Sequence, residues 1–188
     1  MQTEALPGLV GLSRKRAFEG HWRDDAGRRT DAAVHLAGGA AALVAAPALL
    51  VAAGGGSSPL LAYALALTLL FPASGLFQHG PAAWRDVAIK VDHAAIYLKV
   101  AATFGALAAV SGAAVGPAVA GVWLLAGAGA VLRTLGPARM QRTSLALYLV
   151  VLLGGLAATW PALQALSPEA RRLVMLGAAA HLAGMPFH

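Results

Sequence analysis

The sequence predicts an all-α integral membrane protein, a bundle of about six transmembrane helices. Three observations carry this. Only 12% of the 188 residues are charged and 59% are hydrophobic, whereas soluble domains carry roughly 25% charged residues. The runs Leu60 to Phe77 and Ala114 to Leu132 contain no charge and are long enough to cross a hydrocarbon core of ~30 Å. The lysines and arginines fall mostly between such runs, in alternating segments. Backbone polar groups have no water to bond in lipid, so a spanning segment must satisfy them itself as a helix or close into a barrel. These runs are apolar on every face, without the period-two alternation of barrel strands.

Taken in order, residues 1–30 form a basic segment with Arg14, Lys15, Arg16, Arg23, Arg28 and Arg29. Phe18 and Trp22 lie one helical turn apart within it, which suits a helix lying on an anionic leaflet as well as a solvated tail. No apolar stretch precedes it, so no cleavable signal peptide is expected. Residues 31–188 form the transmembrane domain. Its spans run Ala32–Ala53, Leu60–Phe77, Val91–Val110, Ala114–Leu132, Ser144–Trp160 and Leu173–Phe187. Turn residues separate them: Gly54 to Pro59, Gly80-Pro81, Ser111-Gly112, Gly136-Pro137 and Pro161. Such short connections predict antiparallel neighbours. Gly38-Gly39, Gly127 with Gly129, and Gly154-Gly155 permit close helix approach, and Pro47, Pro72 and Pro117 are expected to kink their helices.

Orientation follows from the basic residues. The amino-terminal segment carries six, the connection after span two has Arg85 and Lys90, and that after span four has Arg133, Arg139 and Arg142. The opposite connections hold only Arg171 and Arg172. Eleven against two places the amino terminus in the cytoplasm, and six spans return the carboxyl terminus to the same side. The net charge of +6 therefore reads as orientation signal and contact with lipid headgroups, not as a nucleic-acid footprint. There is no cysteine, which excludes disulfides and thiolate metal sites.

Ionisable groups inside spans are costly, about 2.5–3.5 kcal/mol each at a helix centre, and usually functional. Asp31 and His35 lie one turn apart at the cytoplasmic end of span one. Ser74, Gln78 and His79 close span two, Asp92 and His93 open span three, and His181 and His188 occupy the inner half of span six. Four spans thus bring polar groups to one depth. Imidazoles and carboxylates at one level could hold zinc through His35, His79, His181 and His188. The alternative is that residues near helix ends simply face headgroups and water. His181 and Asp92 sit deep enough to call for a partner or a wet cavity. Lys99 lies seven residues after Asp92, on the same face and roughly 10 Å deeper. It either snorkels to the interface or points into a cavity lined also by Gln78, Asp31 and His93. No nucleophile elbow, phosphate loop or HExxH motif is present, and nothing in the histidine spacing demands haem.

Span three reads Val91-Asp92-His93-Ala94-Ala95-Ile96-Tyr97-Leu98-Lys99. This resembles the third helix of the hemolysin III branch of the progestin and adipoQ receptor superfamily. Asp31 to Gly38 resembles the family's Asn-x-x-Thr-His-x-x-Gly opening, and Ser74 to Gln78 its Ser-x-x-x-His motif. Leu147-Tyr148 with Gly154-Gly155 resembles its fifth helix. Leu176-Gly177 through His181 to Gly184 resembles its sixth, with His181 where tyrosine is common. The resemblance implies a seven-helix fold in a bacterial cell membrane, with zinc near the cytoplasmic leaflet. The zinc would be held by the histidine of helix two and two from a seventh helix, assisted by the aspartate that opens helix three.

This chain departs from that pattern where it matters. Gln78 stands at the expected histidine, His79 is displaced by one position, and no seventh span follows the sixth. Three functions are then open. The first is a lipid-binding or membrane-homeostasis protein that has lost the usual zinc site. The second is a zinc-dependent lipid amide hydrolase with a relocated site, using Asp92 as base or water-orienting group and Ser74 in support. The third is a small transporter or channel using Asp92 and Lys99. Membrane lipids are the expected partners. A second copy of the chain could supply the missing helix, which makes a homo-oligomer a further expectation.

Overall fold

A computed structural model describes residues 25–136 and 141–184. Among the described residues the chain is all-helical, without strands. Its helices are α1 (Asp25–Ala52), α2 (Ser58–His79), α3 (Arg85–Ser111), α4 (Gly116–Leu135), α5 (Gln141–Ala158), α6 (Trp160–Gln164) and α7 (Pro168–Gly184). A single 3-10 turn, Ala82–Trp84, leads into α3. Four of these segments are long and apolar enough to cross a membrane: α1, α2, α3 with its leading turn, and α4. In α5 the apolar stretch is shorter, Ala146–Ala158, and α7 is a 17-residue helix that opens with Glu169, Arg171 and Arg172.

The helices outrun the expected spans at their basic ends. Thus α1 begins at Asp25 and carries Arg28 and Arg29, α3 begins at Arg85 and carries Lys90, and Arg133 lies in the last turn of α4. The apolar runs measure what lipid can contain, whereas the backbone hydrogen bonding continues into polar residues that favour helix equally well. Residues 1–24, Arg139 and His188 lie outside the described residues, and with them the expected interfacial helix around Phe18 and Trp22.

The centre of the bundle is α3, which packs against α2, α4, α5 and α6. Its buried side includes Tyr97, Val100, Ala101, Phe104 and Leu107, joined by Val122 and Ala126 of α4, Val151 of α5, and Leu163 of α6. The outer helix α1 packs on α2, and α7 is docked most sparsely. One glycine of each expected pair makes the close approach. A Cβ at Gly38 would come within 2.1 Å of the Phe71 ring, one at Gly129 within 2.2 Å of Tyr97, and one at Gly155 within 2.4 Å of Phe104. Gly127 and Gly154 face open space. Pro47 and Pro72 lie inside α1 and α2, but Pro117 occupies the first turn of α4. There no N–H is needed, so Pro117 starts that helix instead of kinking it.

Candidate metal centre at the joined ends of the first two helices

Residues 31 and 35 are four apart on α1 and share one face of it. The α2 residues opposite run the other way. His79 meets Asp31, Ser74 meets His35, and Phe71 meets Gly38. The near-constant sum of each pair of numbers is the register of an antiparallel helix pair. The missing side chain at Gly38 lets Phe71 in, one turn from His35 and one turn from Ser74, so the small residue sets the approach that brings the polar groups together.

The carboxylate of Asp31 is the hub. Its Oδ2 lies 2.8 Å from His79 Nε2 and 3.1 Å from His35 Nδ1. His35 Nδ1 is also 2.9 Å from the Asp31 carbonyl oxygen, and His35 Nε2 is 2.9 Å from Ser74 Oγ. The two imidazoles stand edge to face, with centroids 5.9 Å apart and planes at 83°. Side-chain exposures of 17% for His35, 22% for Asp31 and 28% for His79 leave the group reachable from one side.

One ligand atom from each of Asp31, His35 and His79 falls within 4.8 Å of the others. Two imidazole nitrogens and a carboxylate oxygen are a donor set that suits zinc, or Fe(II) in a facial triad. Tetrahedral ligands at about 2.0–2.1 Å from an ion are ~3.3 Å apart, so the 2.8 and 3.1 Å separations need only small side-chain adjustments. Ser74 then stands behind His35 as an outer partner that fixes the ring. In chemistry and rough spacing these three side chains could hold a metal ion.

His93, Asp92 and His181 lie towards the same end of the bundle outside the Asp31 group, whereas Lys99 lies deeper. His93 lies on α3 beside Phe77 of α2, with ring centroids 6.4 Å apart. It donates from Nδ1 to the Ile89 carbonyl at 2.5 Å, leaving Nε2 to accept from Arg133 Nη2 at 3.1 Å. Arginine can only donate, which settles the roles. His181 of α7 hydrogen-bonds the Tyr148 hydroxyl of α5. Tyr148 in turn meets Tyr97 edge to face at 5.6 Å, and Tyr97 donates to the Ser144 carbonyl oxygen. His181 is thus placed with tyrosines and not in the Asp31 group. Asp92 is buried on α3 at 7% exposure and is not one of the three residues of that group. The Lys99 ammonium sits 5.9 Å from the centre of the Tyr63 ring, between α3 and α2.

Sequence reasoning missed Tyr63, Tyr97, Ser144 and Arg133 as partners, and it set Asp31 among the carboxylates of a possible zinc level and among the cavity residues without making it a named ligand. Tyrosines within apolar spans were the available signal, because a buried phenol usually has a hydrogen-bond partner. What the fold and this site define, among the described residues, is a helical protein with four helices long and apolar enough to cross a membrane and a three-residue candidate metal centre. Comparisons with protein-family models, curated proteins and solved structures find no match.

Proposed function

We propose that this chain is an integral membrane protein that holds a zinc-class divalent ion through Asp31, His35 and His79. We propose further that it uses the ion to hydrolyse an acyl bond of a membrane lipid. The observation that carries this is the Asp31 carboxylate set between two imidazoles from different helices. Held by these residues, a zinc-class ion would supply a more acidic water and a polarised carbonyl. Three protein ligands leave a position open, as catalytic sites require. Asp31 orients both rings, Ser74 holds His35 from behind, and the apolar faces of α1 and α2 admit an acyl chain from the bilayer. The family resemblance of span three supports the chemistry, although the site is built from helices one and two instead of two and seven. In this proposal all six long helices cross the cell membrane with both termini cytoplasmic, and the site faces the inner leaflet.

The test is elemental mass spectrometry on protein purified without chelator or histidine tag, paired with release of fatty acid from a long-chain N-acyl lipid. About one zinc per chain is expected, lost together with hydrolysis in Asp31→Asn and in His79→Ala. Folded protein that takes up no divalent metal would leave the reading without its central element. Metal-free lipid binding and transport, the other two expectations from sequence, are then left to test.

A further inference from the structure

We infer that Ser74 is an activated nucleophile when no metal is bound, with His35 as its general base and Asp31 as the positioning residue. The hydrogen-bond roles around His35 lead to this. Its Nδ1 faces only acceptors, the Asp31 carbonyl at 2.9 Å and the Asp31 carboxylate at 3.1 Å. The proton of a neutral imidazole therefore sits on Nδ1, and Nε2 carries the lone pair. Ser74 Oγ, 2.9 Å from that lone pair, donates its hydroxyl proton to it. Ser74 and His35 share a hydrogen bond, the His35 Nδ1–H bonds the Asp31 carbonyl oxygen, and the Asp31 carboxylate lies beside that nitrogen as an ion-pair partner. This order of nucleophile, base and orienting group resembles the one used wherever serine attacks an acyl centre. His79 adds a second N–H to the same carboxylate, 2.8 Å from Oδ2, which fixes the orienting oxygen. Ser74 is half-buried, so an electrophile from the membrane can reach it.

The chemistry is acyl or phosphonyl transfer. With an ester or amide, the Ser74 Oγ–carbon bond forms while its proton passes to His35 Nε2. The carbon–leaving-group bond then breaks, His35 returns the proton to the departing alcohol or amine, and water later releases the acid by the same route. The state excludes the metal-bound one. An ion on Nδ1 takes the lone pair that is now a proton, moves the proton to Nε2, and leaves His35 a donor to Ser74 and no longer its base. The inference rests on the same side chains as the proposed function but not on the metal.

A long-chain alkyl fluorophosphonate tests it. The Oγ–phosphorus bond forms, fluoride leaves, and the adduct on the peptide containing Ser74 is found by mass spectrometry. The protein is folded, in lipid, and treated with chelator. Labelling at Ser74 is expected, absent in Ser74→Ala and slowed about 100-fold in His35→Gln, as loss of a general base dictates. Asp31→Asn is expected to lower the limiting labelling rate without changing the half-saturating probe concentration, with partial recovery in Asp31→Glu. The Ser74→Cys variant, read with a maleimide, checks that the position is open. No adduct at Ser74 in folded protein whose Ser74→Cys variant reacts readily overturns the inference. So does equal labelling of wild type and His35→Gln. Zinc is expected to suppress labelling at least tenfold. Labelling that persists in saturating zinc upholds the nucleophile and overturns the metal reading at His35.

Discussion

Two histidines at the same end of this bundle are treated in opposite ways. His35 lies between an anionic carboxylate and a serine hydroxyl, and a second imidazole shares the carboxylate. His181 meets the phenol of Tyr148, behind which stand Tyr97 and Ser144. The first surroundings offer charge, several ligand atoms and an open side. The second offer phenols and a serine, and they tie a loosely docked helix to the core. A histidine in a membrane helix becomes chemically capable through the charge and number of its neighbours, not through depth alone.

Changes at the two regions should therefore separate cleanly. The largest effect is expected in Asp31→Asn, which removes a ligand. Zinc affinity should fall by more than the ~10–100-fold typical of outer-shell losses. Competition with a chromophoric chelator measures this, and His181→Ala should leave the same titration unchanged. If His181→Ala weakens zinc as much as Asp31→Asn, the contrast collapses.

Next comes Ser74→Ala, which frees the far side of His35 and should weaken zinc about 10–100-fold in the same assay. Gly129→Ala acts only on packing. Its Cβ would fall 2.2 Å from a Tyr97 ring that is buried and hydrogen-bonded. A loss of about 1–3 kcal/mol in reversible unfolding in mixed micelles is expected, with zinc binding per folded molecule intact. The smallest effect belongs to Tyr148→Phe. It should lose ~0.6 kcal/mol, the average for a hydrogen bond between membrane helices, and speed amide exchange in α7 more than in α1. Equal exchange in both helices would show that the tyrosine does not hold α7.

The helical elements were largely readable in advance. Four of the expected spans coincide with helices of membrane-crossing length, because a long apolar run in lipid satisfies its backbone only by coiling. Span five ends as a helix at Ala158, since Pro161 and the buried Thr159 divert the chain into α6. The polar layer was also visible, as contacts join the ends of neighbouring helices from Asp31–His79 through Phe77–His93 to His93–Arg133. Its partition was not. Periodicity places a residue on a face of its own helix but cannot say which neighbour that face meets.

By itself the sequence determined that the chain is helical, that its apolar runs suit lipid, and that its histidines and aspartates lie towards one end. Those properties depend on composition and on spacing within single helices. Only the tertiary structure decided that Asp31, His35, Ser74 and His79 form one group while His181 joins Tyr148 in another. The deciding element is an antiparallel register over two helices, set where Phe71 fills the space left by Gly38. A shift of one residue there would turn His79 about 100° away from Asp31 and leave the same sequence motifs with no site to form.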